Sequence, residues 1–174
     1  VLRLPEDAEG NELAVAGGNL YQKGITGAQM RRALAHGLQV ELNCQVVQRG
    51  GHLACAKQTV HTPGPVGQAL RGVVAELRLA MPFAITEHQR QQIFHTIKFF
   101  VDGNVADFRE ANIHWIQDRT ESKVDFMMGF VEVYADYQGK IGSWESYVQI
   151  VDPVVSQISN RLATNAQYFE NLMP

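Results

Sequence analysis

The chain has 174 residues, of which 45% are hydrophobic and 19% charged, and its formal net charge is −3. That balance fits one globular domain or a compact piece of a larger one, and it supplies no electrostatic drive for nucleic-acid binding. No apolar run approaches the roughly 20 residues that a membrane-spanning helix needs.

Residues 1–24 are Gly-rich and weakly patterned, and read as an irregular leading segment. Neither a signal peptide nor a Met stands before Val1-Leu2-Arg3, so the chain is expected to be a single domain or a fragment of something longer. Thr26 with Gln29 forms a capping box, which predicts a short helix through Met30 and Leu34 that stops at Gly37. Two β-prone runs, 40–48 and 52–60, flank Arg49-Gly50-Gly51 and predict a hairpin. Its two cysteines, Cys44 and Cys55, read either as small buried hydrophobes or as a cross-strand disulfide. So few thiols point to a reducing, cytoplasmic compartment, with the periplasm as the alternative.

Pro65 is placed to begin a helix whose apolar stripe is Val66, Leu70, Val73, Val74, Leu77 and Met81. Thr86 and Gln89 cap the next, with Ile93, Phe94, Ile97, Phe100 and Val101 inward and Gly103 as its stop. Asn104 caps a third helix carrying Phe108, Ala111 and Trp115. A second hairpin follows, with strands at 124–134 and 144–151 joined through Asp136-Tyr137-Gln138-Gly139-Lys140. Asp152-Pro153 opens a final helix with Val155, Ile158, Leu162 and Phe169 inward. The expected class is α+β, two β-hairpins packed with about five helices; a helical fold with one hairpin is the competing reading.

Chemistry is sparse. The six histidines make no HExxH or HExxxH, and His88 and His95 lie too far apart along one helix to share a tetrahedral ion, so they read as helix-surface residues. No metal site is expected from this chain alone. There is no nucleophile elbow or phosphate loop, and Cys44 or Cys55 as a nucleophile lacks a positioned histidine. The second hairpin is richer, with Asp125, Glu132, Asp136 and Glu145 in or beside apolar strands. Burying a carboxylate costs free energy unless it is paired. Glu132 therefore reads either as a functional group or as a solvent-facing edge residue.

This same region resembles the dipeptidyl peptidase III family of zinc peptidases. The resemblance is carried by His114-Trp115-Ile116-Gln117-Asp118, by Gly129-Phe130-Val131-Glu132-Val133-Tyr134 and by Gly139-Lys140-Ile141-Gly142-Ser143-Trp144-Glu145, and it extends to Asn165-Ala166-Gln167-Tyr168-Phe169-Glu170. It implies part of the non-zinc lobe of a two-lobed exopeptidase that removes dipeptides from peptide amino termini. Glu132 would then bind the substrate ammonium, Glu145 would line the adjoining subsite, and the Tyr134 hydroxyl would donate to the scissile carbonyl. The family's Asp-Pro-x-Gly turn reads Asp136-Tyr137-Gln138-Gly139 here, which alters turn rigidity and removes no catalytic group. The zinc motif of the intact enzyme is absent from this sequence, so the chain is expected to be inactive alone. Its expected partners are a peptide substrate, the zinc lobe, and a second copy across the exposed lobe face. The alternative function is a free-standing peptide-binding or interaction domain.

Overall fold

A computed structural model describes residues 18–119 and 123–173. Among these residues are six α-helices and two antiparallel hairpins: α1 (Gly27–Ala35), β1 (Cys44–Arg49), β2 (His52–Lys57), α2 (Pro65–Ala80), α3 (Glu87–Asp102), α4 (Val105–Gln117), β3 (Val124–Glu132), β4 (Ser143–Ile150), α5 (Pro153–Thr164) and α6 (Ala166–Glu170). The α+β expectation with two hairpins holds. None of the described helices is long and apolar enough to cross a membrane.

Local signals placed most boundaries. The Thr26 hydroxyl accepts from Gln29 N at 3.3 Å while the Gln29 side chain accepts from Thr26 N at 2.8 Å, which closes the capping box of α1. In the first hairpin Gly50 and Gly51 take φ of 56° and 81°, the paired left-handed conformation that a two-residue loop demands. Helix α3 ends on Gly103 at φ 70°, and Asn104 accepts from Ala106 N at 3.0 Å to start α4.

Two cores form. The larger joins Leu70, Val74 and Leu77 of α2, Ile93, Ile97, Phe99 and Phe100 of α3, Phe108 of α4, and Phe126 and Phe130 of β3. The smaller gathers Leu20, Tyr21, Ile25, Met30, Val46 and Ile141. Leu20 and Tyr21, within the leading segment, are thus part of the smaller core. Tyr21 bridges Val46 in parallel and Gln22 N donates to Val46 O at 2.8 Å; residues 1–17 lie outside the described residues.

Three expectations are corrected. On α3 Phe100 is inward as expected, but its inward aromatic companion is Phe99, also fully buried, whereas Phe94 is 44% exposed, because α4 and β3 cover the Phe99 side of the helix. On α5 and α6 the predicted inward residues Val155, Ile158, Leu162 and Phe169 are all about half exposed, since no other described element packs over that amphipathic face. Cys44 and Cys55 are joined by a disulfide across the first hairpin, with Cα atoms 5.3 Å apart, which selects the cross-strand reading over two separate thiols.

Phe99→Ala is expected to lower the unfolding free energy by about 3–5 kcal/mol, seen as a lower urea midpoint at unchanged slope. Phe94→Ala should cost less than about 1 kcal/mol in the same assay.

Candidate functional site

The second hairpin stands on α3 and α4 through contacts made by its first strand and by Trp144 of its second. Gln89 and Gln92, one turn apart on α3, donate their side-chain amides to the β3 carbonyls of Val124 and Phe126, each at 2.8 Å. Two glycines permit close approach. A Cβ on Gly129 would lie 2.7 Å from the Phe108 ring, and one on Gly142 would lie 2.6 Å from the Phe130 backbone. The strands pair Gly129 with Glu145 and Phe130 with Trp144, and then a register shift leaves Val131 as an extra residue and pairs Glu132 with Ser143. That bulge brings Glu132 toward Glu145, on the face opposite Trp144.

The four carboxylates of this region divide into two kinds. Asp125 accepts from Trp115 Nε1 and from Phe126 N, both at 2.8 Å. Asp136, 3% exposed, accepts from Lys140 N at 2.8 Å and Ile141 N at 3.0 Å, and takes the hydroxyl of Tyr21 on its other oxygen. Both are structural: Asp125 ties α4 to β3, and Asp136 braces the hairpin turn against the smaller core. Burial, then the hydrogen bond to Asp136, push the Tyr21 hydroxyl far above the usual tyrosine range, which keeps it a neutral donor.

Glu132 and Glu145 are different. No described donor reaches either carboxyl, and Glu145 Oε2 is buried without a partner. Their contact is with each other. Two carboxylates offer only acceptors, so this contact becomes a hydrogen bond only when one of them keeps a proton. The hydrogen bond to Glu145, then desolvation, raise the Glu132 carboxyl above its ordinary value.

Tyr134 falls outside the strand that the sequence predicts for it. Strand β3 ends at Glu132, and Tyr134 sits in the following turn, 62% exposed. The alternation of a continuous strand therefore does not set its direction relative to Glu132. A separate, mostly apolar cavity of about 440 Å³ is lined by Leu20, Val66, Val73, Phe130 and Trp144, and none of Glu132, Tyr134 and Glu145 borders it. No group of three or more His, Cys, Asp or Glu among the described residues is placed to hold a metal ion. Catalytic zinc does not fit the residues at this hairpin.

A carboxylate pair without described donors, set on a bulged hairpin, presents hydrogen-bond acceptors only. Residues 39–174 match the sequence profile of peptidase family M49, and the chain belongs to that family. It is similar to dipeptidyl peptidase 3 of Dictyostelium discoideum, 32% identical over 111 residues, and to that of Homo sapiens, 30% identical over 113 residues. These alignments take in 64% and 65% of this chain but 16% and 15% of the relatives, so the chain spans about one sixth of their length. The fold matches DPP III from Caldithrix abyssi (TM-score 0.71, 17% identity) and dipeptidyl-peptidase III from Corallococcus sp. strain EGB (TM-score 0.64, 19% identity). Each match covers 90% of this chain and 29% of the other.

Gln89 and Gln92 have no counterpart in the sequence reading beyond a capping role for Gln89; two glutamines on the inward face of α3 were the available signal. With Glu132 holding its proton more tightly when folded than when unfolded, its carboxyl should make stability fall as pH rises from the ordinary carboxylate range through the raised value. Urea unfolding across pH should show this decline in the native chain, and Glu132→Gln should flatten it.

Proposed function

We propose that this chain is part of the non-zinc lobe of a dipeptidyl peptidase III-type exopeptidase, binds the free amino terminus of a peptide there, and is inactive by itself. The observation that carries this reading is the Glu132–Glu145 pair, two carboxyls with no described donor beside them. An ammonium brings three N–H donors and a positive charge, so it can satisfy both carboxyls. An internal peptide N–H offers one neutral donor and leaves the second carboxyl repelled, which discriminates a chain end from a chain interior.

Tyr134 is proposed as the donor to the scissile carbonyl, a role open to it only once another part of the protein brings the substrate over the turn. The zinc of such an enzyme is proposed to lie in the remainder of the protein, since the described residues of this chain hold no ligand set for it. That remainder, or a second copy, is also the proposed cover for the apolar face of α5 and α6. The cytoplasm is the proposed compartment. A Cys44–Cys55 bond that appears only after air oxidation of freshly lysed cells would fit it, and a bond already complete in them would refute it.

Calorimetric titration with a tetrapeptide carrying a free amino terminus tests the binding role. Glu132→Gln, or acetylation of the peptide, should each weaken binding by about 1.5–3 kcal/mol. Equal affinity for free and acetylated peptide would reject it.

A further inference from the structure

The Cys44–Cys55 bond joins two sulfurs in unlike surroundings, and the peptidase reading uses neither. Cys44 is 2% exposed, whereas Cys55 is partly exposed on β2. A tight turn holds Cys44 by its sulfur and by its amide: Glu41 N donates to Cys44 Sγ and Cys44 N donates to Glu41 O, each at 3.1 Å. Lys57, opposite Cys44 in register, pins that turn through Glu41 Oε2 at 2.7 Å. The bond spans 11 positions, a loop that the Gly50-Gly51 turn and the strand ladder close without it. A cross-link stabilises a fold most when it closes a long loop that nothing else closes. Here the hairpin is held independently, by Gln58 N on Asn43 O at 2.7 Å and by Lys57 Nζ and the Asn43 amide on Gly103 O. Both redox states therefore keep the sulfurs side by side.

We propose that Cys44–Cys55 is a reversible thiol-exchange site that takes a low-molecular-weight thiol, of the glutathione class, on Cys55. The entering thiolate attacks Cys55 Sγ, on the more accessible residue, and a new S–S bond forms there. The Cys44–Cys55 bond breaks, and its electron pair leaves on Cys44 Sγ. The Glu41 N–H stands ready to stabilise that thiolate until it takes a proton from water. Two outcomes follow. In one, the Cys44 thiolate attacks Cys55 Sγ, expels the small thiolate and restores the cross-strand bond. In the other, a second small thiol attacks the outer sulfur, which leaves two protein thiols and a small-molecule disulfide; two electrons and two protons have passed to the protein. Run backwards, the same steps let an oxidised small thiol close the bond. Reduction also frees a thiol in the wall of the apolar cavity, which Cys44 lines. This chemistry is independent of the carboxylate pair on the second hairpin.

The test uses the full chain in buffers of reduced and oxidised glutathione, quenched in acid and mapped by peptide mass spectrometry. The native chain should open and reclose its bond with the buffer ratio while its circular-dichroism spectrum stays native. Cys44→Ser treated with oxidised glutathione should accumulate a mixed disulfide on Cys55. Cys55→Ser should gain one on Cys44 about tenfold more slowly. Should a serine variant lose the native spectrum, the alanine variant replaces it. Equal modification rates at the two cysteines overturn the proposal, as does a native bond that millimolar reduced glutathione opens only in denaturant.

Discussion

Packing around Phe99 and Phe100 is the constraint from which the rest of the molecule follows. Both rings are fully buried, and each looks a different way. Phe99 meets Phe108 of α4 at 4.9 Å and Phe130 of β3 edge-on at 6.3 Å; Phe100 meets Trp144 of β4 at 5.5 Å. Phe130 and Trp144 close the ring of contacts at 5.6 Å. Aromatic pairs at such distances add directional energy to a large buried area, so they fix orientation as well as proximity. The same helix end also holds the first hairpin. The Phe100 carbonyl accepts from Val60 N at 2.9 Å, and the Gly103 carbonyl takes Lys57 Nζ at 3.1 Å and the Asn43 amide at 3.3 Å. One helix C-terminus is therefore where both hairpins and α4 converge.

The candidate site inherits its geometry from that junction. Since Gln89, Gln92 and the phenylalanines anchor β3 along its length, the bulge near its end can turn Glu132 toward Glu145 without loosening the hairpin. The cost of facing two carboxyls is local, and it appears as a raised Glu132 pKa. Asp125 and Asp136 carry the structural work beside them, each taking donors from the chain. This difference separates carboxylates that the chain's own donors satisfy from a pair that they do not, and composition alone does not make it.

The two ends of the described chain behave differently. Leu20 and Tyr21 are drawn into the smaller core by the Val46 bridge and by the Tyr21–Asp136 hydrogen bond, which spans 115 positions. Helices α5 and α6 instead keep an apolar face in water, although their caps and stripe are regular. An amphipathic pattern says that a helix has a face to bury and is silent on what buries it. In this family member, which spans about one sixth of its curated relatives, nothing described covers that face.

Caps, turns and periodicity were legible in the residues because each is settled within a few positions. Thr26–Gln29, Gly50-Gly51, Pro65, Gly103, Asn104 and Asp152 mark element ends through hydrogen bonds or φ angles that the residue itself determines. The family was legible as well, through motifs around Glu132 and Trp144. Tertiary structure alone decided the rest. It chose Phe99 over Phe94, turned Gln89 and Gln92 onto strand carbonyls, ended β3 before Tyr134, paired the cysteines, and assembled His88, His95 and His114 from two helices. The reason is physical: these outcomes depend on which surfaces meet across long sequence separations, and local propensity holds no information about the partner.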